Sequence, residues 1–299
     1  MMINRYFDEC LIEDCFLLEC YIIPMEFHRW NDNESLVATF FSLIGISLTC
    51  IVLFVFIQYS HTPVVKASSR ELCLIVLIGM ILSHLSIFSI LAHPSVAMCT
   101  LTRILPGIAF SMIYGSLFVK TNRIARLLAI SKKRFPSKKL KFMSSLSQVI
   151  LAFMLIIIES TIAITMLFVE SPGIVLKFPS EKRSVLVCDT TLVGILAPLS
   201  FIFFLIILCT FYAIKTRNVP ENFNETKFVG FAIYTTFVIW LAFFPIYYGS
   251  ELQIITKCLC ISLSSIMTLI FMFFPKIYII LFHPEKNIRA LFTTSKSIR

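Results

Sequence analysis

Seven apolar runs of about 20 residues or more alternate with short polar segments along this chain: 36–59, 71–91, a third that begins at Cys99, 144–169, 192–214, 227–248 and 257–282. A run of about 20 apolar residues spans a bilayer as a helix. Barrel strands would instead alternate every second residue over ~10-residue segments, which these runs do not do. The stretch 99–134 sets the frame. It opens on Cys99, carries one early charge at Arg103, and then passes into Lys120, Arg123, Arg126, Lys132, Lys133 and Arg134. Cationic clusters collect on the cytoplasmic side of membrane spans. Of the 26 lysines and arginines, 19 lie in 60–71, 120–141, 215–227 and 276–299, the alternate loops and the tail. The pattern therefore predicts an all-α membrane protein, a seven-helix bundle with an extracellular N-terminus and a cytoplasmic C-terminus. Residues 1–35 are its outer segment, 36–282 the bundle and 283–299 a cytoplasmic tail.

Composition agrees. The chain is 58% hydrophobic and 14% charged, where soluble domains carry about 25% charged residues. A net charge of +9 could suggest nucleic acid. Its confinement to alternate loops points instead to anionic inner-leaflet lipid and intracellular proteins, with no nucleic-acid role. Residues 1–35 hold Cys10, Cys15 and Cys20 among acidic side chains, without the basic segment and apolar core of a signal peptide. Cys99 and Cys188 fall on the outer side, where disulfides persist. The loop 61–70 contains Pro63, which marks a break. Pro106 is expected to kink the third span, and 170–191 is the longest outer loop.

Chemistry inside the spans is sparse. Glu159 and His84 are the intramembrane ionisable candidates. Taken alone, Glu159 reads as a protonated carboxyl bonded to a nearby hydroxyl, and His84 as a satisfied bundle-facing ring. There is no metal-ligand spacing, no cofactor motif and no paired carboxylate or nucleophile–base set, so no enzyme is expected. A channel or secondary transporter, the rival reading, would call for paired midplane charges or interrupted spans. Thr236, Trp240 and Phe243 share one helix face by their spacing. Such a stripe, on spacing alone, is core packing.

Several motifs carry a family resemblance. Thr62-Pro63-Val64-Val65-Lys66 and Ser69-Arg70-Glu71-Leu72 resemble the first inner loop of metabotropic glutamate receptors, which are class C (family 3) G-protein-coupled receptors. Lys120-Thr121-Asn122-Arg123-Ile124 is similar to the inner end of their third span, and Lys215-Thr216-Arg217-Asn218-Val219-Pro220 to their third inner loop. Trp240-Leu241-Ala242-Phe243 with Pro245 resembles their sixth span, and Phe273, Pro275-Lys276 and Tyr278 with His283-Pro284-Glu285 the end of their seventh. Cys20 through Pro24 and Trp30 look like the last part of their cysteine-rich linker. Trp30-Asn31-Asp32, Leu127-Leu128-Ala129 and Ala197-Pro198 are most similar to group I, coupled to phospholipase C.

The resemblance implies a receptor that activates a heterotrimeric G protein, of the Gq type in that group, by a conformational switch of the bundle. It also implies a homo- or heterodimer in the plasma membrane and a Cys99–Cys188 disulfide. It turns the aromatic stripe into part of an allosteric pocket for lipophilic ligands, lined by Tyr114, Thr236, Trp240, Phe243, Cys260 and Ser264. Phe110 stands there where a proline would fit, and Cys260 where a serine would. A cytoplasmic latch is implied between Lys120 and Glu225, with Ser68 or Ser69 nearby. Arg123, Arg126, Lys132, Lys133 and Arg134 would face the G protein. The family's glutamate-binding clamshell is not expected in this chain, because the 35 residues before the first span cannot form it.

Overall fold

The computed structural model describes residues 25–26, 32–131, 144–180, 183–215, 224–249 and 253–284. Seven long helices make up almost all of it: α1 (Asn33–Gln58), α2 (Arg70–Leu91), α3 (Val96–Ser131), α4 (Ser145–Val169), α5 (Leu192–Lys215), α6 (Asn224–Gly249) and α7 (Gln253–Phe282). Each contains a segment of at least 21 residues long and apolar enough to cross a membrane. A bilayer core offers no water to backbone N–H and C=O groups, so a spanning chain closes them within helices. Pro106, Pro198, Pro245 and Pro275 lie inside helices all the same. Pro63 does not end an element. It occupies the first turn of a short helix, Pro63–Ala67, where its missing N–H costs nothing.

The bundle is built around α3, which touches α2, α4, α5 and α6 and both strands of the hairpin described below. Helix α2 packs closely on it. A Cβ placed on Gly79 would lie 2.9 Å from the Ala109 carbonyl of α3. Small residues permit such approach where dispersion and polar contacts, not water exclusion, drive helix association. Further polar contacts tie helices together. Ser83 Oγ of α2 lies 2.6 Å from Ser265 Oγ of α7, and Ser42 Oγ of α1 donates to the His84 carbonyl at 2.9 Å. Helix α4 buries only a narrow strip, Gln148, Ala152, Glu159 and Ala163. Val149, Leu151, Leu155 and Ile156 are half-buried beside that strip, while Ile150, Phe153, Ile157 and Phe168 are exposed to the surroundings of the bundle, as a lipid-facing helix requires.

The loop after α4 is not irregular. It forms two antiparallel strands, β2 (Gly173–Ser180) and β3 (Arg183–Asp189), with a two-residue strand β1 (Met25–Glu26) pairing parallel to β3. The β2/β3 hairpin caps one end of the bundle. The opposite end carries Lys66, Arg70, Lys120, Arg123 and Arg126.

Candidate functional site

At the hairpin end, α3 anchors β3 and both feet of the hairpin through one of its faces. Cys99 is disulfide-bonded to Cys188, with Cα atoms 5.6 Å apart. One turn later, Arg103 donates from Nη1 to the Glu170 carbonyl at 2.8 Å and from Nη2 to the Asp189 carbonyl at 2.6 Å. Its guanidinium also lies 3.7 Å from a Glu170 carboxylate oxygen. Residues four apart share a helix face, so Cys99 and Arg103 act on the hairpin together. The sequence shows Arg103 only as a stray charge in an apolar run. Its partners are main-chain carbonyls 67 and 86 residues away, for which no side-chain motif exists.

Beneath the hairpin lies a cavity of about 1060 Å³, walled by α2, α3, β3, α5, α6 and α7. Of the expected pocket residues, Trp240 and Phe243 line it; Tyr114, Thr236, Cys260 and Ser264 do not. The physical reason is Phe110. Its ring stacks on Tyr114 at 5.7 Å and meets Trp240 edge-on at 5.3 Å. Phe110 thus forms the floor and separates the cavity from the layer below. In that layer Tyr114, Thr236 and Ser264 are almost wholly buried. The Tyr114 hydroxyl is in reach of Thr236, Trp240 and Thr268, yet it meets none of them with hydrogen-bond geometry, and among the described residues the Thr236 and Ser264 hydroxyls have no hydrogen-bond partner either. Cys260 is half-buried and packs on the apolar core.

At the basic end, the first connecting loop is laced to α3. Lys120 is buried and donates to the Ser68 carbonyl at 3.0 Å. Arg123 donates to Ser69 Oγ at 2.7 Å and to Gln148 Oε1 of α4 at 3.4 Å. Ser69 sits in the left-handed region, with φ 57°, a conformation that non-glycine residues seldom hold without support. Arg123, expected to face a partner, is half-buried and engaged with the loop, whereas Arg126 is exposed and bonds to Asn122. Lys132, Lys133 and Arg134 lie outside the described residues. Glu225 falls in the first turn of α6, but its side chain is also outside them.

The two intramembrane candidates differ from expectation. Glu159 is fully buried against Gly107 of α3, where a Cβ would collide with its carboxyl oxygen, and among the described residues neither carboxyl oxygen has a hydrogen-bond partner. The neighbouring hydroxyls do not supply one: Ser160 and Thr161 bond back to Ile156 and Ile157. His84 does face the bundle, buried against Gly45, but among the described residues its Nδ1 has no hydrogen-bond partner.

Comparison with known proteins supplies the family. Residues 28–276 match the family model described as "7 transmembrane sweet-taste receptor of 3 GCPR". The chain is 39% identical over 305 residues to "Metabotropic glutamate receptor" of Drosophila melanogaster, an alignment that covers 98% of this chain and 31% of that protein. The chain thus spans about a third of the length of the curated relative it matches. The match favours a receptor over a channel, transporter or enzyme. With seven membrane-crossing helices arranged around α3 and a hairpin pinned to its first turns, this chain belongs to the class C G-protein-coupled receptors, a multi-pass family of the plasma membrane.

Proposed function

We propose that the chain is the transducing bundle of a metabotropic-glutamate-type receptor. The hairpin end is extracellular, and the basic end is cytoplasmic and engages a heterotrimeric G protein. The observation that carries this reading is the position of α3. One helix carries the cavity floor at Phe110, the hairpin anchors at Cys99 and Arg103, and the loop anchors at Lys120 and Arg123. A ligand that prefers one packing of Phe110 and Trp240 therefore biases the opposite end through a single rigid element. A ligand shifts an equilibrium only by its differential affinity for the two states. Trp240 at the floor and Phe243 in the wall are where such a difference would arise.

Lipophilic modulators suit the cavity, which is mostly apolar with a few polar groups. The layer beneath Phe110 then serves as a deeper annex that opens when that ring turns. Arg126 with Lys132, Lys133 and Arg134 supplies cationic surface for the G protein, and the group I likeness favours the Gq type. The broad apolar outer face of α4 suits pairing with a second receptor chain within the bilayer. The Lys120–Glu225 latch remains part of this reading.

The test is nucleotide exchange. The full chain in nanodiscs should accelerate GTPγS loading of purified Gq above empty nanodiscs, and Arg126→Glu should reduce that acceleration several-fold. Rates equal to empty discs with G proteins of every class would refute the transducer reading.

A further inference from the structure

The cavity is mostly apolar, but its charge is lopsided. Arg103 and Lys257 both line it, and among the described residues no aspartate or glutamate does. The two cations are electrostatic neighbours that repel. Arg103 is committed: two main-chain carbonyls and the Glu170 carboxylate face its guanidinium. Lys257 differs. It lies in the first turns of α7, half-buried, and among the described residues no carbonyl, hydroxyl or carboxylate bonds its ammonium. An ammonium drawn out of bulk water without a counter-charge is costly. A ligand anion would remove that cost on arrival. The same cavity is walled by large apolar side chains, Phe110, Trp240, Phe243, Ile202 and Ile261.

We infer that the hairpin-end cavity is a binding site for a lipophilic carboxylate, its anionic head on Lys257 and its apolar body over Phe110 and Trp240. The inference rests on the proposed ligand-binding role of this cavity and names the ligand's chemistry. Lys257 acts as the selecting charge. Arg103 adds positive potential but keeps its bonds to the hairpin, so binding leaves the lid in place. A neutral ligand of the same shape would gain the apolar contacts and leave the ammonium unpaired. A cationic one would meet two like charges. Cavity volume permits a drug-sized body, since such sites run to about 1,000 Å³.

The protein reports on its own cavity. It has two tryptophans, and Trp240 lines the site, so a Trp30→Phe background leaves Trp240 as the sole indole. The full chain in phosphatidylcholine nanodiscs is titrated with 4-biphenylcarboxylate, its uncharged carboxamide and 4-biphenylmethylamine, with Trp240 emission as readout. The carboxylate should bind about tenfold or more tightly than the carboxamide, as a charge-assisted bond in a water-poor site implies. Lys257→Gln should erase that preference while keeping carboxamide affinity within about twofold, since only the charge term is removed; Lys257→Met repeats the comparison with an apolar side chain. Lys257→Glu should favour the amine. Displacement of bound 4-biphenylcarboxylate by oleate or by phenylacetate distinguishes a bilayer-derived from a water-borne ligand, and either result supports the site. Equal affinity of acid and amide in the parent protein would overturn the inference while leaving the pocket intact. So would a loss of both ligands in the lysine variants. If no probe binds and Trp240 emission stays unmoved, both the inference and the pocket reading fall, whatever the G-protein assay shows.

Discussion

Gly45 shows how tightly single positions are specified inside this bundle. The His84 ring of α2 occupies the space that a side chain on Gly45 would fill. That ring is buried, so it has little room to swing away, and the helix that carries it is tied to α1 through the Ser42 hydroxyl. Gly45→Ala should therefore lower the unfolding temperature in detergent, as overpacking typically costs about 1–3 kcal/mol. Adding His84→Ala should remove most of that penalty, because contacting residues are non-additive. Penalties that add would show that the ring and the glycine do not share this space. The sequence offers His84 as a polar residue in an apolar run and gives no sign of Gly45. The same limit explains the pocket. Trp240 and Phe243 were legible as one helix face, but the ring that closes the floor beside them comes from α3. Whether Tyr114 is wall or core depends on the rotamer of Phe110, a neighbour one turn away. Lys257 was legible only as the edge of a span. Its place in the cavity follows from α7 beginning at Gln253, one turn earlier than the apolar run suggests.

At the scale of elements, the seven helices were readable because a bilayer leaves the backbone few options. Their faces were not, because lipid and protein core are equally apolar and the helices show little sidedness. The hairpin was missed for a different reason. Ile174, Val175 and Leu176 oppose Cys188, Val187 and Leu186, a pairing that needs partners across the turn and reads along the chain as a mixed loop. What holds this hairpin makes a prediction. Cys99 and Cys188 form one bond, and Arg103 holds both feet independently. Cys99→Ala and Cys188→Ala should each reduce surface expression, with the double variant no worse than either single. Adding Arg103→Ala to the double variant should lower expression further, because a second anchor is then lost. Additive losses for the two cysteines would contradict a shared bond. No further loss with Arg103→Ala would mean that the guanidinium holds nothing the disulfide does not.

For the whole molecule, the question is what keeps the basic end closed. Lys120 is buried about three turns before the end of α3 and donates to the Ser68 carbonyl. Arg123 holds Ser69 one turn further on. These bonds tie the first loop to α3, whereas α6 packs mainly on α7 and α5. Glu225 stands in the first turn of α6, on the same end of the bundle, where the proposed latch would join it to Lys120. An exposed pair is worth only ~0–1 kcal/mol, but a pair shielded by the loop is less screened. If the latch favours the resting packing by about 1.4 kcal/mol, its loss raises a small active population about tenfold. Lys120 is the poorer residue to test, since its removal also frees Ser68 and loosens the loop. Glu225→Ala removes only the α6 side. Compared at matched surface expression, Glu225→Ala should raise basal G-protein turnover several-fold. Lys120→Glu combined with Glu225→Lys should recover part of the restraint but not all of it, because a glutamate at 120 cannot donate to the Ser68 carbonyl. Basal turnover that stays level or falls in Glu225→Ala would rule out the latch. The restraint on α6 would then have to come from its packing along α7.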